Sequence, residues 1–292
     1  MKLIKKFATI DIGSNAIRLL ISNIYKKDLK LFTTKNSLIR VPVRLGQDAF
    51  KNGKISKINI TRLIDTMKSF QLLMKIHDVE KYLAYGTSAL RSSSNSEHII
   101  KEISKKSGIN VEIISGSKEA KIITNNNEFL IAKKTYCFLD VGGGSTELIL
   151  FKNNKLFASK SFKIGGVRII NDLVNSSAWD KLELWISENL KIHKNIKLVG
   201  LGGNINKIFK ISGNNIGSPL KKTLLDITID NLVQMSDFDK IIKLKLNPDR
   251  VDVIVPAGKI YQFVMNKLNS KEILVPKIGL ADGMVFELLK KL

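Results

Sequence analysis

The sequence has one cysteine, Cys137, and three histidines, His77, His98 and His193. A single thiol cannot close an internal disulfide, and its place inside an apolar run suits a buried residue in a reducing cytosol. The histidines are scattered and form no ligand-spaced cluster, which argues against a zinc site and against a Ser-His-Asp triad. No apolar run reaches the roughly 18 residues that span a bilayer. Asp11, Ser14, Asn15 and Arg18 interrupt the apolar start of the chain before a signal-peptide core can form, and no small-residue cleavage site follows. The start therefore reads as folded, mature sequence. No Gly-x-x-x-x-Gly-Lys-Ser/Thr stretch is present, so a P-loop is excluded.

Acids are scarce as well. The 26 Asp and Glu are outnumbered by 48 Lys and Arg, for a formal net charge of +22. Such a field favours a polyanionic partner. Drift in a genome rich in Lys, Asn and Ile codons accounts for the charge equally well. Arginine occupies only seven positions: Arg18, Arg40, Arg44, Arg62, Arg91, Arg168 and Arg250. In a chain that defaults to Lys, these point to bidentate binding of phosphate or carboxylate.

What is present is ordinary globular material: 292 residues, 44% of them hydrophobic. The length fits two domains. Phe7 to Ile12 and Ile17 to Ile24 are strand-like runs around the turn Gly13-Ser14-Asn15, with Asp11 near the end of the first strand. The pattern recurs at Tyr136 to Val141 and Thr146 to Phe151, around Gly142-Gly143-Gly144-Ser145, with Asp140 in the matching place. Two Asp-x-Gly hairpins form a weak internal repeat and suggest two similar domains with a boundary near residue 122.

Between and after the hairpins the signals are coarser. Extended segments are expected to about Leu45, with a turn around Gly53. A helix spans Ile60 to Met74, and a strand at Lys81 to Tyr85 runs into a small-residue loop, Gly86 to Arg91. A helix from Asn95 to Ser107 stops at Gly108, a strand covers Val111 to Ile114, and Ser115 caps a helix with Glu119 in its first turn. Farther on come a helix through Leu182 to Asn189 and a strand at Lys197 to Val199. A glycine loop, Gly200 to Asn204, leads into a helix from about Ile205. A helix from Val251 to Leu268, a strand at Ile273 to Val275 and a last helix from about Asp282 to the C-terminus complete the pattern.

These residue types suit phosphate chemistry. Glycine turns expose backbone N–H groups and let a phosphate approach closely. A carboxylate at the strand end can hold Mg²⁺, which takes a few carboxylates, waters and phosphate oxygens. A strand follows each turn, whereas a dinucleotide-binding turn is followed by a helix. Glu119 can accept a proton from an attacking water, or do no more than complement the helix dipole. Glu147 can reach a metal through a water, or serve as the polar face of its strand. Thr87, Ser88, Arg91 and the Gly200–Asn204 loop are candidate phosphate contacts or ordinary connections.

The chain resembles the exopolyphosphatase/guanosine pentaphosphate phosphohydrolase (Ppx/GppA) family. The resemblance is carried by Ile10-Asp11-Ile12-Gly13-Ser14-Asn15, Arg44-Leu45-Gly46, Gly86-Thr87-Ser88-Ala89-Leu90-Arg91, Ile114-Ser115-Gly116, Glu119-Ala120, Leu139 to Glu147, Gly166-Val167-Arg168, Gly200-Leu201-Gly202-Gly203, Arg250 to Pro256 and Gly279-Leu280. These motifs run in family order over nearly the whole chain.

The resemblance implies an α/β fold of two RNase H-like domains of the actin/hexokinase/heat-shock-chaperone superfamily, with an inter-domain cleft. The domains would be residues 1–122, joined by a C-terminal helix over 281–292, and residues 123–280. It implies Glu119 as general base, Asp11, Asp140 and Glu147 as metal-associated acids, and Ser14, Asn15, Arg91, Gly143, Gly144 and Ser145 as phosphate contacts. The activity implied is Mg²⁺-dependent hydrolysis of the terminal phosphoanhydride of inorganic polyphosphate or guanosine pentaphosphate, in the cytoplasm. A membrane or a specific nucleic acid is not among the implied partners, and a homodimer is compatible with the pattern. Rival readings are a non-catalytic sensor of alarmones or polyanions and an ATP-dependent kinase of the same superfamily. The chain departs from the family at Lys118, where Glu is usual, and at Asn204, where Thr is usual. It also ends without the helical domains of longer members. A Lys118 side chain directed at Glu119 would favour the ionised carboxylate.

Overall fold

The structure, a computed structural model, describes residues 2–124, 134–153, 155–191, 193 and 195–291. The chain divides into two compact units, Met1–Asn126 with Leu280–Leu292, and Asn127–Gly279.

The first unit begins with strands β1 (Lys2–Ile12), β2 (Ile17–Lys27) and β3 (Lys30–Val41), then helices α1 (Leu45–Asn52) and α2 (Lys57–Ile76). Strand β4 (Lys81–Gly86), helices α3 (Ser88–Arg91) and α4 (Ser96–Ser107), strand β5 (Glu112–Ile113) and helix α5 (Gly116–Ile123) follow. The second unit carries β6 (Thr135–Val141), β7 (Thr146–Lys152), β8 (Lys155–Phe162), α6 (Gly166–Ile170), α7 (Ser176–Asn189), β9 (Lys197–Leu201) and α8 (Gly202–Ile211). It continues with β10 (Leu220–Lys221), α9 (Lys222–Gln234), α10 (Asp237–Ile242), α11 (Pro248–Val251), α12 (Ile254–Lys267) and β11 (Glu272–Ile273). The last helix, α13 (Leu280–Leu289), belongs to the first unit.

The two sheets share one plan. The first runs β3-β2-β1-β4-β5 and the second β8-β7-β6-β9. In each, a three-stranded antiparallel meander is followed by a parallel strand beside its first member. Leu274 adds a parallel bridge to Val199, in the place that β5 takes beside β4. Parallel neighbours need helical crossovers, and those helices cover the sheet faces.

Strand β1 is buried on both sides from Phe7 to Ile12, which is why it reads as a continuous apolar run. Ala8, Ile10 and Ile12 face Leu63, Met67 and Phe70 of α2 and Ile99 and Ile103 of α4. Phe7, with Leu20 and Ile24 of β2, faces Ala281, Val285 and Leu288 of α13. In the second unit, Leu139, Leu148 and Leu150 pack with Leu182 and Ile186 of α7, Ile205 and Ile208 of α8, and Ile260 and Tyr261 of α12. Cys137 lies in this core, and complete burial pushes its thiol up to about 12. Among the described residues no helix is long and apolar enough to cross a membrane.

Local signals explain most boundaries. Ser56 caps α2 by accepting from the Asn59 amide, and Asp48 holds both residues through its carboxylate. Gly108, at φ 69°, closes α4. Several expectations need correction. The segment expected to end in a turn near Gly53 is helix α1, held by buried Leu45 and Ala49 one helical turn apart, with Gly53 as its left-handed cap. The Gly86–Arg91 loop contains a helical turn, α3. The Gly200–Asn204 loop is absorbed into β9 and the first turn of α8, because Gly202 at φ 83° lets the chain enter the helix at once. The helix expected from Val251 to Leu268 divides into α11 and α12. The last helix ends at Leu289, and Leu292 lies outside the described residues.

Helix α13 meets α5 at Gly283, where an added Cβ would lie 2.1 Å from the Ile122 carbonyl oxygen. Because the obstacle is backbone, Gly283→Ala is expected to destabilise the first unit by about 1–3 kcal/mol, the range for overpacking. Chemical denaturation of the variant beside the parent checks this, and an unchanged midpoint would refute it.

Candidate active site

Each unit presents one hairpin built the same way. In the first, the Gly13 amide donates to the Ala16 carbonyl at 3.2 Å; in the second, the Gly142 amide donates to the Ser145 carbonyl at 2.9 Å. The turn carbonyls are then held by a short helix start. In the second unit, Gly142 O accepts from the Gly166 amide (3.0 Å), and Gly143 O from the amides of Val167 (2.8 Å) and Arg168 (3.2 Å). Gly144 O accepts from Arg168 Nε at 2.8 Å. In the first unit, Ser14 O accepts from the Gly46 amide (2.7 Å) and Asn15 O from the Arg44 amide (3.0 Å).

A trans peptide plane sets its C=O and N–H in opposite directions. With three successive carbonyls of the Gly142–Gly144 turn drawn toward α6, the amides of Gly143, Gly144 and Ser145 point away from it. Among the described residues no protein acceptor takes those amides. By the same reasoning the amides of Asn15 and Ala16 point away from α1. Successive outward amides make an anion-binding concavity. Close approach requires glycine on the supporting side: a Cβ at Gly165 would lie 2.6 Å from the Gly143 carbonyl, and one at Gly46 would lie 2.9 Å from Ser14 Cβ.

The hairpins differ in charge. Asp11 is paired across its ladder with Arg18, whose Nη1 donates to Asp11 Oδ2 at 2.6 Å. Asp140 is paired across the equivalent ladder with Glu147. One Glu147 oxygen accepts from Ser161 Oγ at 2.8 Å. Tyr261, buried beneath them, donates to the Leu201 carbonyl at 3.0 Å. Its hydroxyl is pushed well up, first by burial and then by the charge of Asp140. Gly202 leaves room at Asp140, since a Cβ there would lie 2.3 Å from Asp140 Oδ1.

Two carboxylates paired across one ladder have the chemistry that suits Mg²⁺, a hard cation that takes one or two carboxylates and completes its shell with water and phosphate. Asp11 fits less well, because Arg18 already balances its charge. Neither unit, among its described residues, gathers three His, Cys, Asp or Glu side chains at ligating distance.

Glu119 is buried in the first turn of α5, 8% exposed. Arg91 Nη1 lies 3.4 Å from Glu119 Oε2 and donates to the Ile114 carbonyl at 2.6 Å. Lys118 does not address Glu119: its Nζ pairs with Glu112 Oε1 at 2.6 Å and stands 4.8 Å from the centre of the Tyr85 ring. The Thr87 hydroxyl donates to the Ile12 carbonyl and the Asn204 side chain to the Val141 carbonyl, so both tie the hairpins to the next strand's exit.

Of the residues picked from sequence, Asp11, Ser14 and Asn15 lie on one hairpin, and Asp140, Gly143, Gly144, Ser145 and Glu147 on the other. Arg91 and Glu119 lie together in the first unit. The sequence singled out Arg18, Arg44 and Arg168 as binders of phosphate or carboxylate but not their supporting role: Arg44, Gly46, Gly165 and Arg168 hold the turns, and Arg18 neutralises Asp11. The scarcity of arginine was the available signal, since three of these five are arginines.

Fold and site define a two-unit α/β protein of RNase H-like plan, with one Asp-bearing, glycine-rich hairpin in each unit. The Ppx/GppA phosphatase family matches over residues 24–292, and the chain belongs to that family. It is 29% identical over 315 residues to the bifunctional 3-dehydroquinate synthase/phosphatase of Fusobacterium nucleatum, covering 96% of this chain and 46% of that protein. It is 25% identical over 174 residues to exopolyphosphatase 1 of Mycobacterium bovis, covering 57% of this chain and 48% of that one. The matched regions thus span about half the length of each of these curated relatives. Among solved structures, an exopolyphosphatase from Cytophaga hutchinsonii superposes with a TM-score of 0.85 at 24% identity, covering 99% of both chains.

Gly165→Ala sets a methyl group against the Gly143–Gly144 backbone and must displace the turn. Binding of inorganic phosphate by the turn is expected to weaken on the order of ten-fold, the loss of roughly one hydrogen bond to a charged group. Calorimetric titration of folded variant protein measures this, and parent-like affinity would show that the turn binds no anion.

Proposed function

We propose that the protein hydrolyses the terminal phosphoanhydride of inorganic polyphosphate or guanosine pentaphosphate with Mg²⁺. The observation that carries this reading is the second hairpin, where three amides turned outward stand beside Asp140 and Glu147, two carboxylates paired across one ladder. That combination suits a phosphate accompanied by a divalent ion.

The amides of Gly143, Gly144 and Ser145 would receive phosphate oxygens in the second unit, and the turn of Ser14 and Asn15 is the equivalent phosphate contact of the first unit. Asp140 and Glu147 would hold Mg²⁺, with Asp11 the weakest of the metal assignments. When bound, the ion supplies charge neutralisation of the phosphoanhydride oxygens. Arg91 holds Glu119 in place and offers its remaining donors to phosphate. Glu119 orients a water and takes its proton. Little covalent chemistry is asked of the protein, so rate enhancement rests on positioning and electrostatics. The excess of lysine favours polyphosphate over the guanosine compound.

Purified protein offered each substrate, with and without Mg²⁺, is expected to release phosphate only with the metal. Glu119→Gln is expected to lower kcat by roughly 10²–10⁴-fold, the usual share of general base catalysis, while substrate still binds. Full turnover in that variant would remove Glu119 from the mechanism. Asp140→Asn is expected to raise the Mg²⁺ concentration for half-maximal turnover at least ten-fold, and Asp11→Asn to raise it less. The reverse order would move the ion to the first hairpin.

A further inference from the structure

Lys118 lies in the first turn of α5, immediately before Glu119. Its ammonium group lies between two partners, the Glu112 carboxylate at 2.6 Å and the face of Tyr85 at 4.8 Å. Tyr85 is itself fixed: it is 2% exposed, and its hydroxyl donates to Glu287 Oε1 of α13 at 3.0 Å. Burial, then the charge and hydrogen bond of Glu287, push the Tyr85 hydroxyl well up, so it remains a donor throughout the working range. Helix α13 is in turn seated on α5 through Gly283 and Ile122. The chain of contacts therefore closes on itself: α5 through Lys118 to β4, β4 through Tyr85 to α13, and α13 back to α5 one turn beyond Lys118.

Successive residues of a helix point about 100° apart. Pinning Lys118 toward Tyr85 and Glu112 therefore fixes the direction of its neighbour, Glu119, which faces Arg91. We propose that Lys118 is a positioning residue for Glu119, setting the rotation of the first turn of α5 through the Glu112–Lys118–Tyr85–Glu287 cluster. This rests on the reading of Glu119 as general base. Its effect on stability is small, because Lys118 and Glu112 side chains are 36% and 56% exposed and exposed pairs contribute little. Its effect falls on the geometry of the base.

The test compares Lys118→Met, Lys118→Arg, Lys118→Glu and the exchange Lys118→Glu with Glu112→Lys, with Glu119→Gln in parallel, using polyphosphate and Mg²⁺. Lys118→Met keeps the stem over Tyr85 and removes the ammonium group. Its kcat is expected to fall roughly ten-fold, with KM and melting temperature unchanged. Lys118→Arg should restore most of the loss, and the exchange should recover turnover that Lys118→Glu alone lacks. A parent-like kcat for Lys118→Met, a loss that only tracks unfolding, or an exchange without recovery would overturn the positioning role. If Glu119→Gln is inactive while Lys118→Met is not, the positioning role alone fails. If Glu119→Gln is fully active, both fall.

Discussion

Peptide planarity is the constraint on which the site depends. A carbonyl bound on one side of a turn commits the following amide to the other side. In both hairpins the carbonyls are taken up by the start of a short helix, α1 or α6, so the outward amides are a fixed property of the fold. A flexible glycine turn would have to order itself around each anion and lose binding energy in doing so. Held in this way, Gly142 to Ser145 has its donors arranged before any ligand arrives. The glycines are needed twice over, once in the turn and once at Gly165, where the supporting backbone comes too close for a side chain.

The two units share this backbone device but differ in charge. Arg18 and Glu147 occupy equivalent ladder positions, each opposite the Asp of its hairpin. The first hairpin contains its own counter-charge, and its Asp is satisfied by the protein alone. The second places a carboxylate where the first has a guanidinium. Like charges on neighbouring strands repel, so the second hairpin concentrates negative charge where the first balances it. One backbone plan thus serves two electrostatic purposes.

Much of this was legible in the sequence. Asp11, Asp140 and the glycine turns stand out because turn chemistry is local and the flanking strands are apolar runs. Ser115 and Glu119 read correctly as a helix start for the same reason. The short helices α1 and α6 were hidden, because eight and five residues give too little periodicity to read. The roles of Arg44, Gly46, Gly165 and Arg168 were hidden because they arise from contacts with turns elsewhere in the chain. Lys118 shows the limit most clearly. Sequence placed it beside Glu119 and suggested a charge effect, whereas helix geometry sends the two side chains in different directions and gives Lys118 to Glu112.

Helix α5 has eight residues and would not hold its conformation alone. Its orientation must come from its ends and its neighbours. Ser115 fixes the beginning by accepting the Lys118 amide, and Arg91 and Lys118 fix two directions of the first turn. The far end rests on α13, which enters this unit from the opposite end of the chain. The buried carboxylate of Glu119 therefore relies on residues separated by most of the sequence, and a change in α13 can reach it without touching it. Beside the direct contact of Gly283 with Ile122, the Tyr85 hydroxyl, bound to Glu287, is a second route for that influence, since it joins α13 to the strand that leads into Arg91.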